Sequence, residues 1–202
     1  MKTTWVIASL LIAGLLFVAA PADADGFIVP SVGVNFGGDS GATLIDATQN
    51  STQNSSRVSY GVAAGMMTNG IFGFEEDFAW APNFFGDGGG INETRVMTLM
   101  TNVLIGIPVG GQQGPGIRPY AAAGLGLIHR RVDSSVSLTD FSANDFGYDL
   151  GAGVMGYFAN HVGMRAGVQY FRNFEHTGSN VIGLDAGQFN FFRGSVGVLF
   201  RF

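Results

Sequence analysis

Seven charged residues lie in segments where apolar and polar side chains alternate, and each falls on the polar side of that alternation. They carry both signs of charge: Arg57, Glu75, Asp77, Asp149, Arg165, Arg193 and Arg201. If the segments enclose a common interior, these side chains share a narrow and partly dry space, where an unpaired charge is costly. We therefore expect an interior charge network, which could act as a charged plug or could fill the interior as structure.

Catalytic and metal-binding patterns are weak. The three histidines are His129, His161 and His176, and hydroxyl residues near two of them along the chain do not establish the geometry of a Ser-His-acid triad. Absence of cysteine excludes a thiolate metal site. The glycine-rich stretch 86–90 lacks the acidic spacing of a calcium loop and the Lys-Ser/Thr pair of a phosphate-binding loop. We expect no catalytic residue, no cofactor and no metal.

The composition and the lengths of the apolar runs exclude one class of partner and one way of crossing a membrane. Of 202 residues, 10 are Lys or Arg and 15 are Asp or Glu, and the net charge of −5 argues against a nucleic-acid partner. After the first 24 residues no apolar run reaches the ~18 residues that a membrane helix needs. Any later membrane crossing must therefore use strands.

The first 24 residues have the pattern of a secretory signal peptide. Lys2 supplies a positive charge, residues 5–20 are apolar, and Ala22-Asp23-Ala24 is a small-x-small cleavage site. We predict cleavage after Ala24, which leaves residues 25–202 as one domain. An uncleaved membrane anchor is the alternative.

Eight segments of that domain alternate with the period of two that is typical of β-strands. The clearest is the second, where Val58 and Tyr60 face one way and Arg57 and Ser59 face the other. The predicted bounds are 27–36, 56–67, 71–82, 94–108, 117–132, 145–158, 162–174 and about 189 to 202.

Two residues break the alternation. Glu76 shares the parity of Phe74 and Phe78, and a β-bulge near residues 75–77 is one way to restore the pattern. Leu199 is an apolar residue on the polar side of the last segment.

The connectors alternate between long and short, which predicts the topology. Four are long (37–55, 83–93, 133–144 and 175–188) and three are short (68–70, 109–116 and 159–161). Outer-membrane barrels have short periplasmic turns, longer external loops and an even number of strands. We predict an all-β fold: an eight-stranded, antiparallel, up-and-down transmembrane β-barrel.

A water-soluble barrel of the lipocalin type is the alternative, because parity alone does not say which face is inside. Three features favour lipid on the outside. The closing strand ends on Phe202, the polar faces carry many small residues such as Gly61, Gly124 and Gly151, and only 12% of residues are charged.

Several motifs together resemble the outer-membrane β-barrel domain family, which includes the OmpA transmembrane domain and OmpX-type proteins. They are residues 118–127, 144–148, 151–154, 162–165 and 170–172. In addition, Ser195, Gly197, Phe200 and Phe202 resemble the signal that the barrel assembly machinery recognises in its substrates. The resemblance covers the whole domain and specifies no ligand. We expect no periplasmic domain after Phe202, so the peptidoglycan-binding half of OmpA is absent.

We therefore expect a monomeric protein of the bacterial outer membrane. Its predicted role is structural, with surface contacts through four external loops, and its partners are outer-membrane lipid, lipopolysaccharide and the assembly machinery. The transport alternative is a narrow pore or conduit for small or hydrophobic solutes. A third, less favoured possibility is an enzyme that modifies outer-leaflet lipid.

Overall fold

In the computed structural model the described residues are 24–37, 57–68, 71–82, 91–110, 115–134, 141–174 and 189–202. They form eight β-strands: β1 (Ala24–Phe36), β2 (Arg57–Thr68), β3 (Phe72–Pro82), β4 (Ile91–Gly106), β5 (Gly116–Ser134), β6 (Phe141–Tyr157), β7 (Val162–Asn173) and β8 (Asn190–Arg201). Among these residues there is no helix whose length and hydropathy would let it span a membrane. The four predicted long loops lie largely outside the described residues.

Every strand pairs antiparallel with its neighbour in sequence, and β1 pairs with β8 to close the cylinder. Closure leaves no strand edge, and backbone N–H and C=O groups are paired between neighbouring strands, except in the β1–β8 ladder at Val29 and Pro30. The short connection after β6 is closed by hydrogen bonds from Phe158 N and Ala159 N to Val162 O, at 3.1 and 3.2 Å. The predicted eight-stranded up-and-down barrel is confirmed.

Alternating side chains divide between an apolar outer wall and the lumen. Val58, Tyr60, Val198 and Phe200 all lie exposed on the outer wall, as the period of two predicts. The lipocalin alternative, which places these residues inside, is wrong.

The lumen also contains apolar side chains, which the sequence pattern did not predict. Leu199, the apparent misfit of the last strand, is fully buried and belongs to a cluster near the short turns. A second apolar cluster lies toward the long loops. It contains Val96, Met100, Ile128, Phe171, Phe189 and Phe191. The central ion pairs, Glu75 with Arg165 and Asp77 with Arg193, therefore lie between two apolar layers.

The expected bulge near residues 75–77 is absent, because the pairing of β3 with β4 runs without interruption from Phe72 to Pro82. Glu76 stays on the outer wall, where Thr101 Oγ1 donates a hydrogen bond of 2.8 Å to its Oε1. The one register irregularity in these ladders is between Ile91 and Glu93, at the start of β4. Strands β4, β5 and β6 also begin earlier than predicted, by one to four residues, because polar residues continue the ladder beyond the apolar wall.

Glycines allow close packing inside the cylinder, and Gly153 shows why. A Cβ atom at this position would lie 2.3 Å from the backbone oxygen of Ala166 and 2.6 Å from the hydroxyl of Tyr120. The first of these atoms belongs to the sheet itself and cannot move aside as a flexible side chain can. Gly156, on the same strand, has no atom within 4 Å of its Cβ position.

We expect Gly153→Ala to lower the free energy of unfolding by about 1–3 kcal/mol, because the added methyl group overpacks the interior. Gly156→Ala is the matched control. It should be neutral or slightly stabilising, since glycine in a strand costs about 0.5–1 kcal/mol relative to alanine. Urea unfolding in detergent micelles measures both. Equal stabilities for the two variants would contradict the close approach at Gly153.

Candidate functional site in the barrel lumen

An ion pair crosses the centre of the lumen. Glu75 on β3 and Arg165 on β7 come from opposite walls, and both guanidinium Nη atoms contact the carboxylate, with Nη2 to Oε1 at 3.1 Å. Arg165 Nε also donates to Tyr120 Oη at 2.6 Å, and its guanidinium group lies 4.5 Å from the centroid of that ring. The Glu75 side chain has no exposed surface. A two-point contact of this kind fixes the position of both walls relative to each other.

A second arginine, Arg193 on β8, contacts side chains from three other strands. It lies on the side of the central ion pair toward the long loops. Its Nη1 lies 3.5 Å from Asp77 Oδ1, its Nε donates to Asn35 Oδ1 at 3.2 Å, and its Nη2 donates to Thr98 Oγ1 at 3.0 Å. The guanidinium group also lies 4.5 Å from the centroid of the Phe171 ring. One cation thus joins the charged layer to the apolar layer above it.

The end of the lumen near the short turns holds two further arginines around Tyr157. Arg118 Nη1 donates to Tyr157 Oη at 3.1 Å, and the Arg201 guanidinium lies 4.7 Å from the ring centroid. Arg201 also donates from Nε to the backbone oxygen of Asn160 at 2.7 Å and lies 3.8 Å from Asp25. These contacts join the barrel's closing strand to its first strand and to a turn.

The outer end of the lumen has its own ion pair. Arg130 on β5 pairs with Asp145 on β6, and both side chains are only slightly exposed. The Arg130 guanidinium lies 4.8 Å from the Phe189 ring centroid, so this pair lies against the outer apolar cluster.

The predicted charge network therefore divides into separate groups. Glu75, Asp77, Asp149, Arg165 and Arg193 lie in the central layer. Arg201 instead lies at the end of the lumen near the short turns, because it is two residues beyond Leu199 along β8. The side chain of Arg57 lies outside the described residues.

Several interior polar residues were missing from the predicted site. They are Asn35, Thr98, Asn102, Arg118, Gln169, Arg130 and Asp145. The signal that could have identified Arg118 was parity, since it lies two residues before the inward-facing Tyr120. Parity likewise places Gln169 on the same face as Arg165.

The centre of the lumen is packed. Asn102 and Asp149 are 0% exposed and Glu75 is 2% exposed, so no water-sized space lies against these central side chains. Eight strands enclose an interior just wide enough for side chains, and here the side chains fill it. Burial removes water from the charges, and their mutual contacts compensate for that loss.

The histidines do not converge on a catalytic site in the described part of the chain. One ring nitrogen of His129, Nδ1, lies 2.6 Å from Asn144 Oδ1, and His161 is exposed in the turn before β7. His176 and the glycine-rich stretch 86–90 lie outside the described residues. No group of three or more potential metal ligands occurs among the residues that the structure describes.

The predicted assembly signal occupies both faces of β8. Ser195 and Gly197 share the inward parity of Arg193, whereas Phe200 and Phe202 lie on the outer wall. Phe202 is 77% exposed. Its backbone N and O exchange hydrogen bonds of 2.9 and 3.0 Å with Gly26, and a Cβ at Gly26 would lie 2.6 Å from the Phe202 ring. The ring thus lies directly against the first strand.

The family model described as "Outer membrane protein beta-barrel domain" matches residues 8–202. No curated protein sequence matches the chain.

Solved structures show the same architecture. Neisserial surface protein A has a TM-score of 0.61 and 17% identity, covering 87% of this chain and 97% of that one. OprG from Pseudomonas aeruginosa has a TM-score of 0.60 and 15% identity, covering 89% and 96%. Ail of Yersinia pestis, in complex with the heparin analogue sucrose octasulfate, has a TM-score of 0.55 and 12% identity, covering 89% and 98%. Identities this low show a shared fold alone.

Proposed function

The chain belongs to the outer membrane protein β-barrel domain family, and from that premise we propose that it is a closed barrel with a structural and surface-contact role in the bacterial envelope. The packed central layer supports this role above transport. An aqueous conduit needs a continuous column of water, and the Glu75–Arg165 pair spans the lumen where such a column would run. Apolar clusters cover this ion pair on both sides along the lumen.

We expect the purified barrel to give no steady channel openings in a planar lipid bilayer. The double variant Glu75→Ala/Arg165→Ala vacates the centre of the lumen without leaving an unpaired charge, so it should give brief openings, although the apolar clusters on both sides still narrow the path. The matched control is Arg130→Ala/Asp145→Ala, which removes the outer ion pair, leaves the central pair in place and should stay silent. Steady, discrete openings of the unmodified barrel would refute the proposal and favour the narrow-pore alternative.

A role as an enzyme that modifies outer-leaflet lipid has less support. A Ser-His-acid triad needs a histidine that bonds to both a hydroxyl and an acid. His129 instead contacts the Asn144 side-chain oxygen. The residues that follow these two in the chain, Arg130 and Asp145, are already paired with each other. We therefore propose a non-catalytic protein without cofactor or metal.

Outer-leaflet lipid is the partner that the outer wall fits. Arg95 on β4 lies directly opposite Arg131 on β5, and both lie on the outer wall toward the long loops. The guanidinium group of arginine binds phosphate oxygens through two parallel hydrogen bonds. Lipopolysaccharide carries phosphate groups, so we propose that it contacts the outer wall at this rim.

The barrel assembly machinery is the partner proposed for the closing strand. Phe202 presents an exposed ring at the periplasmic end, while its backbone alone makes the hydrogen bonds to Gly26. Because a substitution at Phe202 keeps those backbone bonds, it tests recognition of the side chain separately from barrel closure. We further propose a monomer, exported by a signal peptide that is cleaved after Ala24.

We expect Phe202→Ala to lower the amount of folded, heat-modifiable barrel in the outer membrane while delivery to the periplasm is unchanged. Phe158→Ala is the matched control, since Phe158 is an equally peripheral, exposed aromatic residue outside the signal. Refolding into detergent in vitro should be similar for both variants. Equal levels of folded barrel in cells would argue against recognition of Phe202.

A further inference from the structure

Asp149, on β6, is a buried carboxyl group that forms no ion pair with any described side chain. It is 0% exposed. Its Oδ2 accepts a hydrogen bond of 3.1 Å from Gln169 Nε2, whereas its Oδ1 has no hydrogen-bond donor among the described residues. A buried carboxylate oxygen in this state loses its hydration without compensation.

Among the described side chains, the charges of the central layer do not balance if Asp149 is ionised. Glu75 is paired with Arg165, and Asp77 is paired with Arg193. Asp149 is the third acid beside two arginines. The charged groups that act on it are Asp77 and Glu75 on β3 and Arg193 on β8, so two of its three charged neighbours repel a carboxylate.

A second unsatisfied acceptor lies beside Asp149. Asn102 on β4 is 0% exposed, and its Oδ1 also lacks a hydrogen-bond donor in the described part of the chain. Both oxygens point into the space left by the missing side chain of Gly124. A Cβ there would lie 1.7 Å from Asn102 Oδ1 and 2.6 Å from Asp149 Oδ1. Two acceptors thus meet at one point with no hydrogen between them.

We propose that this point is a binding site for one proton. Asp149 keeps its acidic hydrogen on Oδ1 in the folded barrel and donates it to Asn102 Oδ1. The two arginines of the central layer are then balanced by two carboxylates, and both orphan oxygens are satisfied.

A proton fits this site better than a water molecule or a metal ion. A buried water needs a space of about one probe sphere and two to four polar partners. Such a space would leave accessible surface on the residues that line it, and both Asn102 and Asp149 have none. A rotated Asn102 amide would satisfy Asp149, but it would turn its own oxygen toward the Glu75 carboxylate, which now lies 3.4 Å from the amide nitrogen.

Infrared spectroscopy of the folded barrel at neutral pH tests the assignment. The unmodified protein should show the carbonyl band of a protonated carboxyl group that Asp149→Asn removes. Asp145→Asn is the matched control, because Asp145 is ion-paired with Arg130, and it should leave the band in place. A carbonyl band of the same intensity in Asp149→Asn and in the unmodified barrel would overturn the proposal, whereas a weaker remaining band belongs to another carboxyl group, such as Glu76 on the outer wall. If Asp149→Asn does not fold, the carboxyl ¹³C chemical shift of Asp149 in the unmodified barrel decides between the acid and its anion.

The same proton makes stability depend on pH in a defined direction. An aspartate in the unfolded chain ionises near pH ~4, whereas the folded barrel retains the proton. The folded state therefore binds more protons, and the unfolding constant should rise about tenfold per pH unit above that point until the folded group ionises. Asp149→Asn should lack this component. Identical pH profiles for the two proteins would contradict the proton site.

Discussion

The ion pair between Glu75 and Arg165 is the interaction on which the interior depends. It joins β3 to β7 across the cylinder, so that opposite walls are linked by side chains as well as by the sheet. Such a pair contributes little net stability when it is complete, yet removal of one partner from a buried pair costs about 3–5 kcal/mol. Removal of either Glu75 or Arg165 alone should therefore destabilise the barrel more than removal of both together.

Around this pair the interior is arranged in layers. Apolar clusters above and below exclude water from the charges, and a drier surrounding strengthens each remaining electrostatic contact. Arginines at the borders lie over aromatic rings, as Arg193 does over Phe171 and Arg201 does over Tyr157.

Sequence parity correctly predicted which side chains face outward and which face the lumen. It did so because each strand has an apolar environment on one side and a packed lumen on the other. It could not identify Leu199 as part of an interior apolar layer, since parity gives the direction of a side chain and not its height. Parity placed Glu76 on the outer wall correctly, but it could not identify the hydrogen-bond partner Thr101, which lies on another strand. Which side chains meet across the lumen depends on the register between strands, which the sequence does not give. For this reason the contact of Arg118 with Tyr157 was not predicted.

Cysteine labelling tests most directly whether the lumen is packed, and the absence of native cysteine makes it specific. Ala121 lies exposed on the outer wall, whereas its neighbour Ala122 faces the lumen and is 6% exposed. In the folded barrel in liposomes, Ala121→Cys should react with a lipid-partitioning maleimide, and Ala122→Cys should react neither with that reagent nor with a small water-soluble thiosulfonate until the barrel is unfolded. Rapid reaction of folded Ala122→Cys with the water-soluble reagent would contradict a closed lumen.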